Sequence, residues 1–153
     1  MKPQIVLVEP RIPQNTGNIG RLCAATQSAL HLIHPLGFTL SQKEIKRAGM
    51  DYWEHLELYE WSSLEAFTEA HPFGESHFLL TTKAKRAYFE ASLPPSAYLY
   101  FGREDAGLPQ VLLEAHPQAM LKIPMKEGNR SLNLATATGI VLYEAIRQNY
   151  PLF

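Results

Sequence analysis

The chain has little of what secreted scaffolds and membrane proteins depend on. It has one cysteine, Cys23, among 153 residues, so no internal disulfide can form and a disulfide-built secreted scaffold is excluded. No apolar run approaches the roughly 18 residues that a membrane span needs. Residues 1–4 lack the long apolar core of a signal peptide. We therefore expect a cytoplasmic protein without membrane association.

The sequence also lacks an excess of either charge. Its 14 Lys and Arg residues are balanced by 15 Asp and Glu residues, which gives a formal net charge of -1. Nucleic-acid-binding domains are often strongly basic, so this balance disfavours such a function but leaves room for a local basic patch. Apolar residues make up 46% of the chain and charged residues 19%. This is the composition of an ordinary folded domain, and it excludes intrinsic disorder.

What the sequence does contain is an alternation of short apolar runs and longer segments of helical period. The apolar runs typical of strands are residues 5–8, 31–34, 56–59, 78–81, 98–101 and 120–123. The helical patterns are residues 18–29, 42–48, 62–71, 109–114 and 133–148. This alternation predicts an α/β fold, with a parallel sheet flanked by helices on both faces. No linker or repeat interrupts the pattern, so we expect a single domain over residues 1–153.

Polar residues and glycines follow the first predicted strand in the segment 15–21, Asn-Thr-Gly-Asn-Ile-Gly-Arg. Free backbone N–H groups at such a helix start can face an anion such as phosphate. The segment fails the dinucleotide fingerprint, because Asn15 replaces its first glycine and no acidic residue ends the second strand. The helical period places Cys23 on the buried face and Arg21 on the exposed face, near the helix start. A capped helix with one exposed arginine is the simpler alternative.

A second segment, residues 101–109, combines a strand end with a charged, glycine-containing loop. Ligands of open α/β sheets gather at the carboxyl ends of strands, and Gly102 would allow a ligand to approach the backbone. Glu104 could accept hydrogen bonds or cap the next helix. A simple turn, with an acid complementing the helix dipole, is the alternative.

A third segment, residues 123–135, leads from a strand end through a polar loop into a long helix. Ser131 or Asn133 is a natural helix cap. Arg130 precedes the cap, where a cation opposes the positive end of the helix dipole. A bound anion would explain its position, although a solvated arginine is the simpler interpretation.

Taken in order, these three segments resemble the signature motifs of the SPOUT superfamily of RNA methyltransferases, and within it the 2′-O-methylating SpoU branch. The stretches 12–18, 47–53 and 80–83 are similar to the minimal members that methylate the wobble nucleotide of tRNA, which carry no appended RNA-binding domain. The resemblance implies a C-terminal trefoil knot, a feature that is essentially absent from other proteins. It also implies a homodimer that uses S-adenosylmethionine and releases S-adenosylhomocysteine.

The resemblance also assigns residues to the site. The residues implied to line the cofactor pocket are Leu80, Gly102, Ile123, Ser131 and Leu132. Arg21 matches the arginine held to activate the ribose hydroxyl. Because a guanidinium keeps its proton in proteins, we expect Arg21 to hold a phosphate or to stabilise developing negative charge. No metal is implied, since His31 and His34 have no partners in zinc-like spacing.

The implied substrate is a tRNA anticodon stem-loop, methylated on the wobble cytidine or modified uridine. The candidates for RNA contact are Arg130, Lys46, Arg47 and Tyr143, with a second basic group at residues 83–86. Phosphate contacts would position the RNA, and an aromatic ring would stack on the exposed base. A solvated charged face remains the alternative for the basic residues, and packing in the core or in the dimer interface remains the alternative for Tyr143.

Three other functions stay open at this point. The protein could methylate another tRNA or rRNA site, or it could be a non-catalytic RNA-binding or assembly protein on the same fold. A nicotinamide-dependent oxidoreductase is disfavoured by the broken dinucleotide fingerprint.

Overall fold

The computed structural model describes residues 1–41 and 53–153, in which strands and helices alternate. The strands are β1 (Gln4–Val8), β2 (Ala29–Ile33), β3 (Leu58–Trp61), β4 (His77–Leu80), β5 (Tyr98–Phe101) and β6 (Met120–Leu121). The helices are α1 (Pro13–Thr26), α2 (Leu64–Ala70), α3 (Gln110–Ala115) and α4 (Leu134–Gln148). Within the described ranges, no helix has the length and apolar character to cross a bilayer.

The strands form one parallel sheet in the order β3-β2-β1-β5-β4-β6. The predicted α/β class is therefore confirmed. The first strand lies in the middle and pairs with β2 on one side and β5 on the other. The chain runs outward from β1 through β2 to β3 and then crosses to the other side of β1, where β4, β5 and β6 lie. The crevice beyond the carboxyl ends of strands at such a reversal is where open α/β sheets bind ligands.

Apolar residues of β1 supply both faces of the sheet, because successive side chains of a strand point in opposite directions. Ile5 and Leu7 pack in the core beneath α1 and α4, and Val6 and Val8 pack with Phe67 of α2 on the other face. All four β1 residues are at most 1% exposed. The continuous apolar run at 5–8 thus reflects a strand that is covered on both sides.

Helix α1 begins five residues earlier than the pattern predicted, at Pro13 rather than at residue 18. A proline fits the first turn, where its missing N–H has no helical partner. The polar and glycine residues 15–17, which precede the helical pattern in the sequence, are buried inside the beginning of the helix. Arg21 is exposed as expected, but it lies in the middle of α1, so its expected place near the helix start was wrong.

Other element boundaries differ by smaller amounts. Strand β3 begins two residues later than predicted, and β6 ends two residues earlier. The predicted helix at 42–48 lies outside the described residues. Cys23 is fully buried, and burial raises the pKa of its thiol to about 12. It packs as a small hydrophobe, as expected, and is a poor nucleophile at neutral pH.

Histidines and aromatic rings fill the space between the sheet and α2. The ring of His31 stacks on Tyr59 with centroids 5.0 Å apart, and it meets Phe67 edge-on at 5.2 Å. Trp61 Nε1 donates a hydrogen bond to His31 Nδ1 at 3.1 Å. The proton of the neutral ring must then lie on Nε2, which is 2.7 Å from Gln4 Oε1. Burial, with His71 nearby, lowers the pKa of His31 to about 4.

We expect the protein to lose stability as the pH falls from 6.5 to 4. Burial also lowers the pKa of His77 to about 4, from the ordinary value of 6.5. Between these values the unfolded chain binds more protons than the folded protein, so the free energy of unfolding decreases with acid. His31 alone accounts for up to about 3 kcal/mol of this loss. Urea unfolding at pH 7.0 and pH 5.0 measures it.

The His31→Gln variant should show a smaller difference between the two pH values than the wild type. The exposed His34, which pairs with Glu60 at 2.9 Å, provides the control, and His34→Gln should keep the wild-type pH dependence. An unchanged pH dependence in His31→Gln would contradict the assignment.

Candidate active site

A cavity of about 510 Å³ opens at the carboxyl edge of the sheet, beyond the ends of β4, β5 and β6. Its walls come from the loops that follow these strands and from the beginnings of α1 and α4. Five of its lining residues are those assigned to the cofactor pocket from the motifs: Leu80, Gly102, Ile123, Ser131 and Leu132. The fold therefore brings together at one cavity three stretches that are far apart in the chain.

Several lining residues were not assigned to the site from the sequence. They include Thr81, Thr82, Phe101, Leu108, Met125 and Ala137. Thr81 and Thr82 directly follow β4, and the position after a buried parallel strand was a usable signal for them. Met125 and Ala137 carried no such signal, because a loop methionine and a helical alanine are ordinary structural residues.

The side chain of Glu104 connects the second motif to the first. Its Oε1 accepts a hydrogen bond from the backbone N–H of Arg11 at 2.7 Å, and its Oε2 accepts one from Ile12 at 2.9 Å. Asn15 Nδ2 donates to Oε2 at 3.2 Å. Ile12 is the N-cap of α1 and makes no side-chain cap bond of its own. Glu104 therefore places a negative charge at the N-terminus of α1, where the helix dipole favours it.

The alternative that Glu104 caps the following helix was wrong. Helix α3 has Pro109 at its N-cap position, and no side chain makes a cap hydrogen bond there. The carboxylate is directed across the sheet edge to α1, which precedes it by about 90 positions in the chain.

Asn133 extends the hydrogen-bond network to the third motif. Its Oδ1 accepts from two backbone N–H groups in the first turn of α4, at 2.9 and 3.2 Å. Its Nδ2 donates to Asn15 Oδ1 at 2.9 Å. Because the carboxylate of Glu104 can only accept, the orientation of both amides is fixed along the chain Glu104–Asn15–Asn133. Asn133, and not Ser131, is the helix cap.

We expect Glu104→Gln to destabilise the protein by about 1–3 kcal/mol, because it leaves polar groups in partly buried hydrogen bonds without an acceptor. An amide replaces one accepting oxygen with a donor, which then faces a backbone N–H or the amide of Asn15. Urea unfolding at pH 7.0 measures the loss. The control is Asp105→Asn, since Asp105 is exposed and pairs with Arg103, and its stability should change little. Equal losses in the two variants would contradict the bridging role of Glu104.

Gly102 is required by the close approach of another part of the chain. A Cβ atom at this position would lie 2.0 Å from the carbonyl carbon of Gly107 and 2.1 Å from the backbone nitrogen of Leu108. The intervening loop is closed by hydrogen bonds in both directions between Arg103 and Gly107, at 3.1 and 2.8 Å. The sequence suggested that the glycine makes room for a ligand, and the structure adds the packing of the loop itself.

The catalytic candidate Arg21 does not line the cavity. It lies six residues after Asn15, which does line it, so it is about 9 Å farther along the helix axis. Its side chain is exposed on α1. Within this chain, Arg21 and the cofactor-pocket residues are therefore not brought together.

The candidates for RNA contact that the structure describes, Arg130 and Tyr143, lie outside the cavity. Arg130 is exposed in the loop before α4 and does not line the cavity. Because Asn133 is the cap, Arg130 lies outside the helix, and the conflict with the helix dipole is weaker than the sequence suggested. Tyr143 is 50% exposed on α4, so packing in the core of this chain was the wrong alternative for it. Lys46 and Arg47 lie outside the described residues.

Comparison with known proteins identifies the family. Residues 2–143 match the model of the SpoU rRNA Methylase family. The chain belongs to the SpoU methylase family. The match covers all three motif segments, so the resemblance inferred from those motifs is confirmed.

Relatives within the SpoU family match this chain over nearly its whole length. The tRNA (cytidine(34)-2′-O)-methyltransferase of Yersinia pestis is 46% identical over 153 residues, covering 96% of this chain and 94% of the relative. A structure solved for "structural insights into the 2-OH methylation of C/U34 on tRNA" is 45% identical, with a TM-score of 0.91, and the match covers 98% and 97% of the two chains.

A less similar solved structure is that of the AdoMet-bound rRNA methyltransferase of Sinorhizobium meliloti. It is 29% identical to this chain with a TM-score of 0.82, and the match covers 95% of this chain and 56% of the other. The match therefore extends over nearly all of this chain and over about half of the other.

Proposed function

We propose that this protein transfers a methyl group from S-adenosylmethionine to the ribose 2′-hydroxyl of nucleotide 34, the wobble position of tRNA. The observation that carries the proposal is the cavity at the carboxyl edge of the sheet, which gathers the five residues assigned to the cofactor pocket from three separate stretches of the chain. The choice of tRNA and of position 34 is supported by the activity for which the Yersinia pestis relative is named.

The residues of the cavity fit S-adenosylmethionine. Leu80, Ile123 and Leu132 provide apolar walls, and the small residues Gly102 and Ser131 leave backbone groups accessible. Ligand pockets of this kind combine apolar walls with a few polar groups and span roughly 300–1,000 Å³. When bound, the cofactor supplies an electrophilic methyl group on a sulfonium.

Arg21 has the charge that the reaction requires. The ribose hydroxyl would pass its proton to a phosphate of the substrate or to water as its oxygen takes the methyl group, and negative charge develops on that oxygen. A guanidinium stays protonated in proteins and cannot accept this proton. Arg21 would instead stabilise the negative charge or hold the neighbouring phosphate, a contribution typical of electrostatic catalysis.

The proposal includes a homodimer. Because Arg21 lies outside its own cavity, a second subunit would have to bring its Arg21 to the cavity of the first. In a twofold dimer each subunit does the same for the other. Exposed apolar residues of the C-terminal part are available for such an interface, namely Tyr143, Tyr150, Leu152 and Phe153.

The trefoil knot implied by the resemblance is also part of the proposal. After β6 the chain returns to the ends of β4 and β5, because Ile123, Met125 and Ser131 line the same cavity as Leu80 and Gly102. This return path supports a chain that threads through its own loops.

The test is methyl transfer from labelled S-adenosylmethionine to bulk tRNA, followed by mapping of the labelled nucleotide. Label on the 2′-oxygen of nucleotide 34 is the expected result. Label at another nucleotide would show that the protein methylates a different position of the RNA. Binding of S-adenosylhomocysteine without transfer to any RNA would overturn the enzymatic proposal in favour of a non-catalytic RNA-binding protein.

A further inference from the structure

Six cations lie in the two segments that follow β4 and β6, and both segments contribute residues to the wall of the cavity. They are Lys83, Lys85, Arg86, Lys122, Lys126 and Arg130, and we call them the basic edge. Lys122 is partly exposed, and the other five are exposed. Lys83 lines the cavity, and Arg130 directly precedes the lining residue Ser131. The basic edge thus borders the site where the chemistry is proposed to occur.

Backbone hydrogen bonds join the two segments of the basic edge. The N–H of Lys122 donates to the carbonyl of Arg86 at 2.9 Å, and the N–H of Tyr88 donates to the carbonyl of Lys122 at 2.8 Å. The Arg86 guanidinium also donates to the carbonyl of Gln118 at 3.1 Å. Arg86 and Lys122 are therefore held next to each other, and the other four cations lie in the stretches of chain that adjoin these two residues.

Carboxylates neutralise cations elsewhere in the described structure. Lys2, Arg11, Arg103 and Arg147 each lie within 3.6 Å of an acidic side chain. By contrast, no cation of the basic edge lies within 4 Å of a carboxylate among residues 1–41 and 53–153.

The hydrogen-bond partners of the basic edge are neutral. Lys83 Nζ donates to the side chain of Gln110 at 2.8 Å, and Arg86 donates to a carbonyl. Glu90, a nearby acidic residue, instead accepts from the backbone N–H of Ala87 at 2.8 Å. The two segments, residues 83–90 and 122–130, contain six cations and two carboxylates, Glu90 and Glu127. This surface is therefore positive, although the whole chain has a net charge of -1.

We propose that the basic edge binds the phosphate backbone of the RNA substrate next to the target nucleotide. The inference rests on the proposed function, and it adds the surface that holds the RNA. Contacts between cations and phosphates fix the position of a nucleic acid without reading its sequence. Such contacts release condensed counterions, so the affinity they provide decreases steeply as salt is added. A surface at the cavity mouth whose cations form no close ion pair among the described residues is suited to this role.

The test compares charge reversals at two lysines in the full-length protein. Lys85→Glu changes the basic edge. The control Lys2→Glu makes the same change in charge just before β1, on the side of the sheet where the strands begin. Binding of unmodified tRNA is measured between 50 and 300 mM salt. We expect Lys85→Glu to weaken binding about tenfold at low salt and to reduce the slope of log K against log salt by about 1. Lys2→Glu should leave both quantities near their wild-type values.

S-adenosylhomocysteine affinity shows whether each variant is correctly folded, and both variants should bind it as the wild type does. If Lys85→Glu binds tRNA as tightly as Lys2→Glu, with the same salt slope, the basic edge is not the RNA surface. That result leaves the proposed function intact when the wild type methylates nucleotide 34. Conversely, salt-dependent tRNA binding that requires Lys85, without methyl transfer by the wild type, supports the basic edge and overturns the proposed function.

Discussion

The Arg21→Ala variant is expected to lose methyl transfer almost completely while keeping its affinity for S-adenosylhomocysteine. Removal of one group that stabilises transition-state charge typically lowers a rate by about 100- to 1,000-fold. Arg21 is exposed on α1 and does not line the cavity, so its loss should leave the cofactor pocket unchanged. Single-turnover methylation of tRNA and calorimetric titration with S-adenosylhomocysteine measure the two quantities. A large loss of cofactor affinity would contradict the assigned role.

A mixed dimer tests whether Arg21 acts on the other subunit. Arg21→Ala is combined with Ser131→Phe, which places a bulky ring at the cavity wall of the second subunit. If Arg21 acts across the interface, the intact cavity of the first subunit meets the intact Arg21 of the second, and activity returns to about half of the wild-type level for a pure mixed dimer. If each subunit uses its own Arg21, both sites are defective and the mixed dimer stays inactive.

Gly102→Ala is expected to have the largest effect on stability. The added Cβ would lie 2.0 and 2.1 Å from backbone atoms of Gly107 and Leu108, and these atoms belong to a hydrogen-bonded loop that cannot move aside alone. Overpacking a well-packed site typically costs about 1–3 kcal/mol, and a clash with backbone places this variant at the upper end of that range. Because the same loop lines the cavity, cofactor affinity should also decrease by more than tenfold.

Gly74→Ala is the matched control for Gly102→Ala. The nearest atom to a Cβ at position 74 is the carbonyl oxygen of Pro72, at 4.0 Å, so the methyl group meets open space. Urea unfolding should separate the two variants clearly, with Gly74→Ala near the wild type. A Gly102→Ala protein that is as stable as Gly74→Ala and binds S-adenosylhomocysteine normally would show that the loop does not need the glycine.

The strands could be predicted because their signal is local. Each run of apolar residues contains or overlaps a strand, and β5 occupies the predicted residues 98–101. The beginning of α1 could not be predicted in this way. Its first turn contains polar residues and a glycine, which locally favour a loop, and the carboxylate of Glu104 from a distant strand end satisfies N–H groups that precede this turn.

The site also has a part that the sequence predicted and a part that it did not. Leu80, Gly102 and Ile123 were assigned from short motifs, and the structure places them around one cavity. The partner of Asn133 was not predictable, because Asn15 is 118 positions away in the chain. The distance of Arg21 from the cavity was also hidden, since the sequence placed the residue near the start of a helix that in fact begins earlier.

The sequence by itself determined the fold class, the family and the residues at the strand ends, because alternating apolar runs and short motifs encode local structure. The tertiary structure decided which polar groups meet. It joined Glu104, Asn15 and Asn133 in one hydrogen-bond chain, and it placed the two segments of the basic edge next to each other. These features depend on the parallel sheet, which brings the carboxyl ends of strands distant in sequence to a common edge, and no local pattern records that proximity.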